Sequence, residues 1–197
     1  MSPFLPRYLY CKNCQFIALD SAFILSREDE KKHYTNHKNS LENLGYIKMF
    51  ETFINFVDSN ITNYNKVLDF GSGTNPVLAT LLKRKGKEVF YYDPYFSPDM
   101  SYEDHFFDLI TITEVFEHLA DPKETLKHLV SLLNPNGSIA IMTHFHENYL
   151  TKFEKWWYRI DPTHIGFFTP KTFSILASKT GLYLKAHDEK KSLLLSI

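Results

Sequence analysis

The sequence has little of what marks several large classes of protein. Its 197 residues include only two cysteines, Cys11 and Cys14, so no disulfide framework is expected. Lys and Arg number 22 against 23 Asp and Glu, and a formal net charge of -1 gives no indication of a nucleic-acid partner. No apolar run approaches the ~20 residues that cross a bilayer, and no basic region followed by an apolar one opens the chain. These absences predict a cytoplasmic protein with no membrane partner.

Hydrophobic residues make up 44% of the chain, which is enough for a packed core. Between residues 46 and 57 the apolar positions Ile47, Phe50, Ile54 and Val57 recur at helical spacing. We therefore expect an N-terminal helical or irregular extension over residues 1–45 and a main domain over residues 46–197.

The main domain alternates short apolar runs with amphipathic segments. This alternation predicts an α/β fold of Rossmann-like type, a mostly parallel sheet with helices on both faces. In such sheets, ligands bind at the carboxyl ends of the strands. The expected strands cover residues 66–70, 88–92, 107–113, 138–143, 182–187 and 193–197, and the expected helices 76–85, 122–133 and 170–180.

A glycine turn follows the first of these strands, with Gly71 and Gly73 in the run DFGSGTNP. Glycine allows tight turns and close approach of a ligand. A dinucleotide fingerprint would need a third glycine at Pro76, so that hypothesis is weakened. Asp69, at the strand end, suits the amino group of a bound amino acid, and Asp93, at the end of the next strand, suits the two ribose hydroxyls. Together these residues predict a site for S-adenosylmethionine.

The chain resembles the class I S-adenosylmethionine-dependent methyltransferases across about residues 64–184. Five segments carry the resemblance in order, namely VLDFGSG, YYDP, FDLITITEVFEHLADP, LLNPNGSIAIMT and WWYRIDPTHIGFF. It implies methyl transfer to a small or medium acceptor. The family's usual third glycine is replaced by Asn75, and the third strand and its helix are abbreviated. The cofactor-binding residues that we expect are Asp69, Gly71, Gly73, Asn75, Asp93, Pro94, Glu114 and His118.

Glu114 and His118 lie four residues apart, so on a helical turn they would share one face. In the resembling family this segment closes over the cofactor. Helix capping and proton transfer remain alternatives for His118. Because H-E-x-x-H or a comparable clustered spacing is absent, no metal site is indicated.

The candidate acceptor groups follow the strand at residues 138–143. His144 and His146 come directly after that strand, and Trp157, Asp161 and His164 lie in a later loop rich in aromatic residues. An oxygen or acidic carbon acceptor needs a base, usually His or a carboxylate. We predict His164 as this base, with His144 second, and His146, Trp157 and Asp161 as substrate contacts. The alternative for His164 is a structural histidine, and a tryptophan here can also fill the domain's edge.

The extension carries two further groups of candidate residues. Cys11 and Cys14 are half of a zinc site that His33 and His37 could complete, but a vestigial or reduced pair is the favoured interpretation, and a redox-active pair is a further alternative. In the resembling family a Y-x-x-H-x-N stretch covers the active site, which implies that Tyr34, His37 and Asn39 form a lid and contact substrate. A solvated polar helix is the alternative for this stretch.

Two other functions compete with methyl transfer. A cofactor-binding partner without catalysis would also keep the motifs, and a nicotinamide-dependent oxidoreductase would share the fold.

Overall fold

The computed structural model describes residues 2–5, 7–35 and 40–197. Its strands are β1 (Ser2–Leu5), β2 (Tyr8–Tyr10), β3 (Ile17–Leu19), β4 (Lys66–Phe70), β5 (Glu88–Tyr92), β6 (Phe107–Thr113), β7 (Leu133–Met142), β8 (Gly166–Phe167), β9 (Tyr183–His187) and β10 (Ser192–Ser196). Its α-helices are α1 (Arg27–Tyr34), α2 (Leu44–Asn60), α3 (Val77–Arg84), α4 (Pro122–Val130), α5 (Leu150–Glu154) and α6 (Pro170–Ser178). Among the described residues, no helix has both the length and the apolar character to span a bilayer.

Six strands form the large sheet in the order β5-β4-β6-β7-β10-β9. The neighbours from β5 to β7 are parallel, and β10 is antiparallel to both of its neighbours. Between β5 and β6 lies a single 3-10 turn, Ser101–Asp104, which leaves β5 at the edge of the sheet. The expected Rossmann-like sheet with an abbreviated third strand is thus confirmed.

Helices cover both faces of this sheet, because side chains along each strand alternate between two apolar cores. In β4, Val67 faces the core under α2 and α3, and Leu68 faces the core under α4 and α6. Leu109 and Ile110 divide in the same way in β6. Burial on both faces explains why these strands read as continuous apolar runs.

Local capping signals place most helix starts. The side chains of Asn43, Asp121 and Thr169 accept backbone N–H groups at the starts of α2, α4 and α6. Helix α3 starts at Val77, one residue after its predicted start, with Pro76 before it and no side-chain cap bond.

Strand β7 starts five residues before its predicted start at Ser138. Leu133 already pairs with Phe107, and Ser138 pairs with Leu109, so the intervening residues bulge out of β7. Asn136 within the bulge has a φ of 66°, a conformation that Asn tolerates better than most residues. The turn signal of Asn136-Gly137 therefore marks an irregularity inside the strand.

The N-terminal extension is more ordered than the helical or irregular segment that we predicted. Strands β1, β2 and β3 form an antiparallel sheet whose fourth strand is β8. These strands are two to four residues long, too short to display an alternating pattern. Ile17 pairs with Phe167 across 150 positions of sequence, and such a partner cannot be read from local composition.

We expect Ile17→Ala to lower the free energy of unfolding by about 2–5 kcal/mol, because Ile17 is fully buried against Tyr8, Phe153 and Phe167. Chemical denaturation would measure the loss. Ile24→Ala is the matched control, since Ile24 is 42% exposed and its loss should change stability by less than about 0.5 kcal/mol. Equal values for the two variants would show that the extension does not pack on the domain.

Candidate active site

A cavity of about 510 Å³ opens at the carboxyl ends of β4, β5 and β6. This is the position where ligands bind in open parallel sheets. The predicted site residues on its wall are Asp69, Gly71, Gly73, Asp93, Pro94, Glu114, His118, Tyr34, Trp157, Asp161 and His164.

The glycine loop lies across the end of β5 and is fixed by backbone hydrogen bonds. The amides of Gly71 and Ser72 both donate to the Tyr92 carbonyl, at 2.8 and 3.0 Å. Gly71 has a φ of 83° and Gly73 a φ of 69°, which few other residues adopt cheaply. A Cβ on Gly71 would also overlap the side chain of Val115. The loop thus needs glycine both for its turn and for its contact with the segment after β6.

The Asp93 carboxylate accepts hydrogen bonds from backbone amides of the surrounding loops. Its Oδ2 accepts the Gly73 amide at 2.9 Å, and its Oδ1 accepts the Tyr95 and Phe96 amides at 2.9 and 3.1 Å. A carboxylate offers about four acceptor positions, so these three bonds leave one on Oδ2. Asp93 can accept one ribose hydroxyl in this geometry, whereas we predicted two.

Asp69 is 2% exposed but lies on the cavity wall. Its Oδ1 accepts the Thr111 hydroxyl at 3.0 Å. Burial raises the pKa of Asp69 to about 7, and the nearby charge of Asp93 adds to that shift. A cationic amino group beside it would favour the charged carboxylate.

The segment after β6 brings two carboxyl groups together in the interior. Glu114 and Glu117 both bind the hydroxyl of Tyr158, which donates a single proton. Burial raises the pKa of both carboxyl groups. In the described part of the chain, Oε1 of Glu114 and Oε2 of Glu117 have no hydrogen-bond partner. Buried oxygens of this kind need a donor or a cation.

The prediction that Glu114 and His118 share a helical face was wrong. Glu114 has a φ of 52°, and the following turn is 3-10 over Phe116–His118, so the spacing rule of an α-helix does not apply. Both side chains nevertheless reach the cavity wall.

Two histidines from distant segments are oriented by backbone carbonyls. His118 Nδ1 lies 2.9 Å from the Thr163 carbonyl, and His164 Nδ1 lies 2.6 Å from the Tyr158 carbonyl. A carbonyl only accepts, so each Nδ1 carries a proton, and in the neutral form of either ring the lone pair is on Nε2. Burial and the adjacent His118 lower the pKa of His164 to about 4, so His164 is neutral at pH 7.

Three other predicted residues do not line this cavity in the described part of the chain: Asn75, His144 and His146. His146 instead ties the extension to the domain, since its Nε2 donates to the Gln15 carbonyl at 2.9 Å and its Nδ1 accepts the Asn148 amide at 3.0 Å. The His144 ring packs against Trp157 and Tyr158.

The predicted lid falls partly outside the described residues. His37 and Asn39 lie there, whereas Tyr34 ends α1 at the cavity wall. The Tyr34 hydroxyl donates to Glu30 at 2.8 Å, and the Tyr95 hydroxyl donates to the same carboxylate at 2.6 Å. Helix α1 is thereby joined to the loop that follows β5.

Sequence reasoning missed Tyr46, Glu117 and Tyr158. Tyr46 reaches the cavity from α2 and packs its ring against Phe50. Glu117 and Tyr158 were inside recognised segments, but their pairing joins residues 41 positions apart. The proximity of Glu114 to Glu117 in sequence was the one available signal.

The sheet order, the glycine loop and the two strand-end acids define a class of protein, the Rossmann-like methyltransferases that use S-adenosylmethionine. A family model described as a methyltransferase domain matches residues 9–187, and the chain belongs to that family. The resemblance stated from the sequence is therefore confirmed. A search of curated proteins with this sequence found no match.

Solved structures share the fold at low sequence identity. An O-methyltransferase family protein from Burkholderia thailandensis is 14% identical with a TM-score of 0.54 over 85% of this chain and 62% of its own. Human N-acetylserotonin methyltransferase in complex with S-adenosylmethionine is 14% identical, with a TM-score of 0.57 over 87% of this chain and 56% of its own. Magnesium protoporphyrin IX methyltransferase from Synechocystis, with bound S-adenosylhomocysteine, is 14% identical, with a TM-score of 0.52 over 86% of this chain and 92% of its own. The chain thus spans less than two thirds of the first and second of these proteins.

We expect Gly71→Ala to weaken S-adenosylmethionine binding by at least about tenfold, because the added Cβ displaces Val115 at the cavity wall. Gly86→Ala is the matched control, since Gly86 has a φ of 80° but a Cβ there would meet no atom within 4 Å. Calorimetric titration measures affinity in both variants. Adding Val115→Ala to Gly71→Ala should restore part of the binding, and wild-type affinity in Gly71→Ala would contradict the close contact.

Cofactor affinity should rise with pH through about 7, where Asp69 loses its proton and becomes attractive to the cofactor's ammonium group. Above about pH 8 the ligand's own amine loses its charge, so affinity should fall again. Titration calorimetry across this range measures the profile. Asp69→Asn should abolish the rise in affinity near pH 7 and leave the fall at higher pH. Asp99→Asn, which changes an exposed acid, should keep both the rise and the fall. An unchanged profile in Asp69→Asn would separate Asp69 from the ammonium group.

Proposed function

We propose that this cavity binds S-adenosylmethionine and that the chain transfers its methyl group to a small or medium acceptor. The observation that carries the proposal is the convergence of Asp69, the Gly71–Gly73 turn and Asp93 on one cavity. Asp69 would face the ammonium group of the methionine part. Asp93 would hold one ribose hydroxyl and, through the Gly73 amide, the loop itself. Pro94 and Glu114, also on the wall, would contact the remainder of the cofactor.

The acceptor would approach from a second cavity of about 540 Å³. Asp161 and His164 stand on the walls of both cavities, so they lie where a methyl group and its acceptor would meet. Arg7 and Arg159 line the second cavity and favour an acceptor with a polar or anionic group. His164 is accordingly the residue that we expect to touch the acceptor, whereas His144 packs against Trp157 and Tyr158.

Methyl transfer from a sulfonium is an in-line displacement that depends chiefly on positioning. The acceptor atom attacks the methyl carbon, the C–S bond breaks, and its electron pair returns to sulfur. Helix α1 would cover the reacting groups through Tyr34, and Trp157, which also lines the cavity, would offer a flat surface to an aromatic acceptor. A cytoplasmic location remains a prediction from the sequence.

Thermal unfolding of the chain tests the cofactor assignment. S-adenosylmethionine and S-adenosylhomocysteine should each stabilise the protein, by about 2.7 kcal/mol at a hundredfold excess over Kd, and NAD should not.

Asp93→Ala should weaken binding of S-adenosylmethionine at least about tenfold, because both the ribose contact and the bond to Gly73 are lost. Asp99→Ala is the control in the same loop. Stabilisation by NAD, or an equal shift in Asp93→Ala, would overturn the proposal.

Turnover separates an enzyme from a binding partner. The protein should convert S-adenosylmethionine to S-adenosylhomocysteine when mixed with phenolic and other hydroxyl acceptors, and a labelled methyl group should appear in one of them. Binding of the cofactor with no transfer to any such acceptor would favour the binding-partner alternative.

A further inference from the structure

Three potential metal ligands meet at the acceptor side of the cavity. Glu117 and His118 come from the 3-10 turn after β6, and His164 comes from the loop before β8. One ligand atom of each lies within 4.8 Å of the other two, and no other group of three His, Cys, Asp or Glu does so among the described residues.

The two imidazoles are held as metal-binding histidines usually are. Each donates its Nδ1 proton to a backbone carbonyl, that of Thr163 for His118 and that of Tyr158 for His164. This second bond fixes the tautomer and the ring orientation of a histidine ligand and makes Nε2 the donor atom. Nε2 of His118 lies 3.9 Å from Oε1 of Glu117, the oxygen that also accepts the Tyr158 hydroxyl.

Glu117 supplies the anionic ligand. Its side chain is fully buried, and Tyr158 binds its Oε1. Its Oε2 has no hydrogen-bond partner in the described part of the chain. The Glu114 carboxyl interacts with that of Glu117, so either a proton shared by the two groups or a bound cation would satisfy their unpaired oxygens. The two adjacent imidazoles favour the cation.

We propose that Glu117, His118 and His164 bind a divalent transition metal ion, with Zn²⁺ as the expected ion and with a coordination position left open toward the cavity. Two imidazoles and one carboxylate with an open fourth position are a common catalytic zinc set. Imidazole ligands favour Zn²⁺ and its neighbours over Mg²⁺ or Ca²⁺. His118 and His164 line the cavity, so the open position faces the acceptor.

The ion would activate the acceptor for methyl transfer, a role that rests on the proposed function. An acceptor hydroxyl at the open position would lose its proton to solvent water more readily, because the ion stabilises the oxyanion. The oxyanion then bonds to the methyl carbon as the C–S bond breaks toward sulfur. His164 would act as a ligand in this scheme and would not itself take the proton.

Metal binding by the full chain tests the proposal without any acceptor. Chelator-stripped protein should take up one Zn²⁺ in competition with a chromophoric chelator, and Co²⁺ should give the visible absorption of a low-coordinate site. Glu117→Gln, which keeps the side-chain shape, and His164→Ala should each weaken Zn²⁺ binding by more than about 100-fold, beyond the loss typical of an outer-shell change. Unfolding curves would show that both variants are folded.

Two matched controls exclude other sites. His128→Ala removes an exposed histidine beside Glu103, and the double variant Cys11→Ser, Cys14→Ser removes both thiols. Each should bind one Zn²⁺ as the wild type does. Zn²⁺ binding that survives Glu117→Gln and His164→Ala, or that is lost with the cysteines, would overturn the proposal, as would no binding at all. S-adenosylmethionine stabilisation of the stripped protein, measured separately, decides the proposed function.

Discussion

The burial of Glu117 is the constraint on which the geometry of the site depends. Its carboxylate lies in the interior at the carboxyl edge of the sheet, where an unpaired oxygen is costly. The Tyr158 hydroxyl meets that need from a loop far along the chain, and the Ile165 amide binds the Glu117 carbonyl. These bonds hold the late loop over the end of β6. The loop continues into β8, which is the partner of β3, so the N-terminal strands are fixed by the same set of contacts.

The charge of the cavity suits a cationic cofactor. Asp69, Asp93 and Glu114 line it, and S-adenosylmethionine carries a sulfonium and an ammonium group. On the far side, His118 and His164 present imidazoles held by backbone carbonyls. The cavity thus has carboxyl groups on both sides, since Asp161 lies with the two imidazoles on the side of the acceptor. A divalent ion at Glu117 would balance buried negative charge on that side, which is a reason for three polar side chains to converge there at the cost of burial.

The site was predictable where its residues are neighbours in sequence. The glycine loop follows β4 directly, and Asp93 follows β5, because parallel strands place their carboxyl ends at one edge. The pairing of Tyr158 with Glu117 was not predictable, since it joins two segments through a tertiary contact. His146 shows the converse. Its place after β7 indicated an acceptor contact, but its ring binds the backbone of the loop between β2 and β3.

The sequence by itself determined the sheet, its helices and the cofactor loop, because periodicity, capping residues and glycine turns act over a few residues. It also determined the family through five segments in a fixed order. Only the tertiary structure decided that the extension forms a sheet with β8. It also decided that the Asp93 carboxylate accepts hydrogen bonds from three backbone amides of the protein, which occupy three of its acceptor positions. It alone brought Glu117, His118 and His164 together. The physical reason is that buried polar groups must find partners wherever the fold places them, and those partners are set by packing in three dimensions rather than by spacing along the chain.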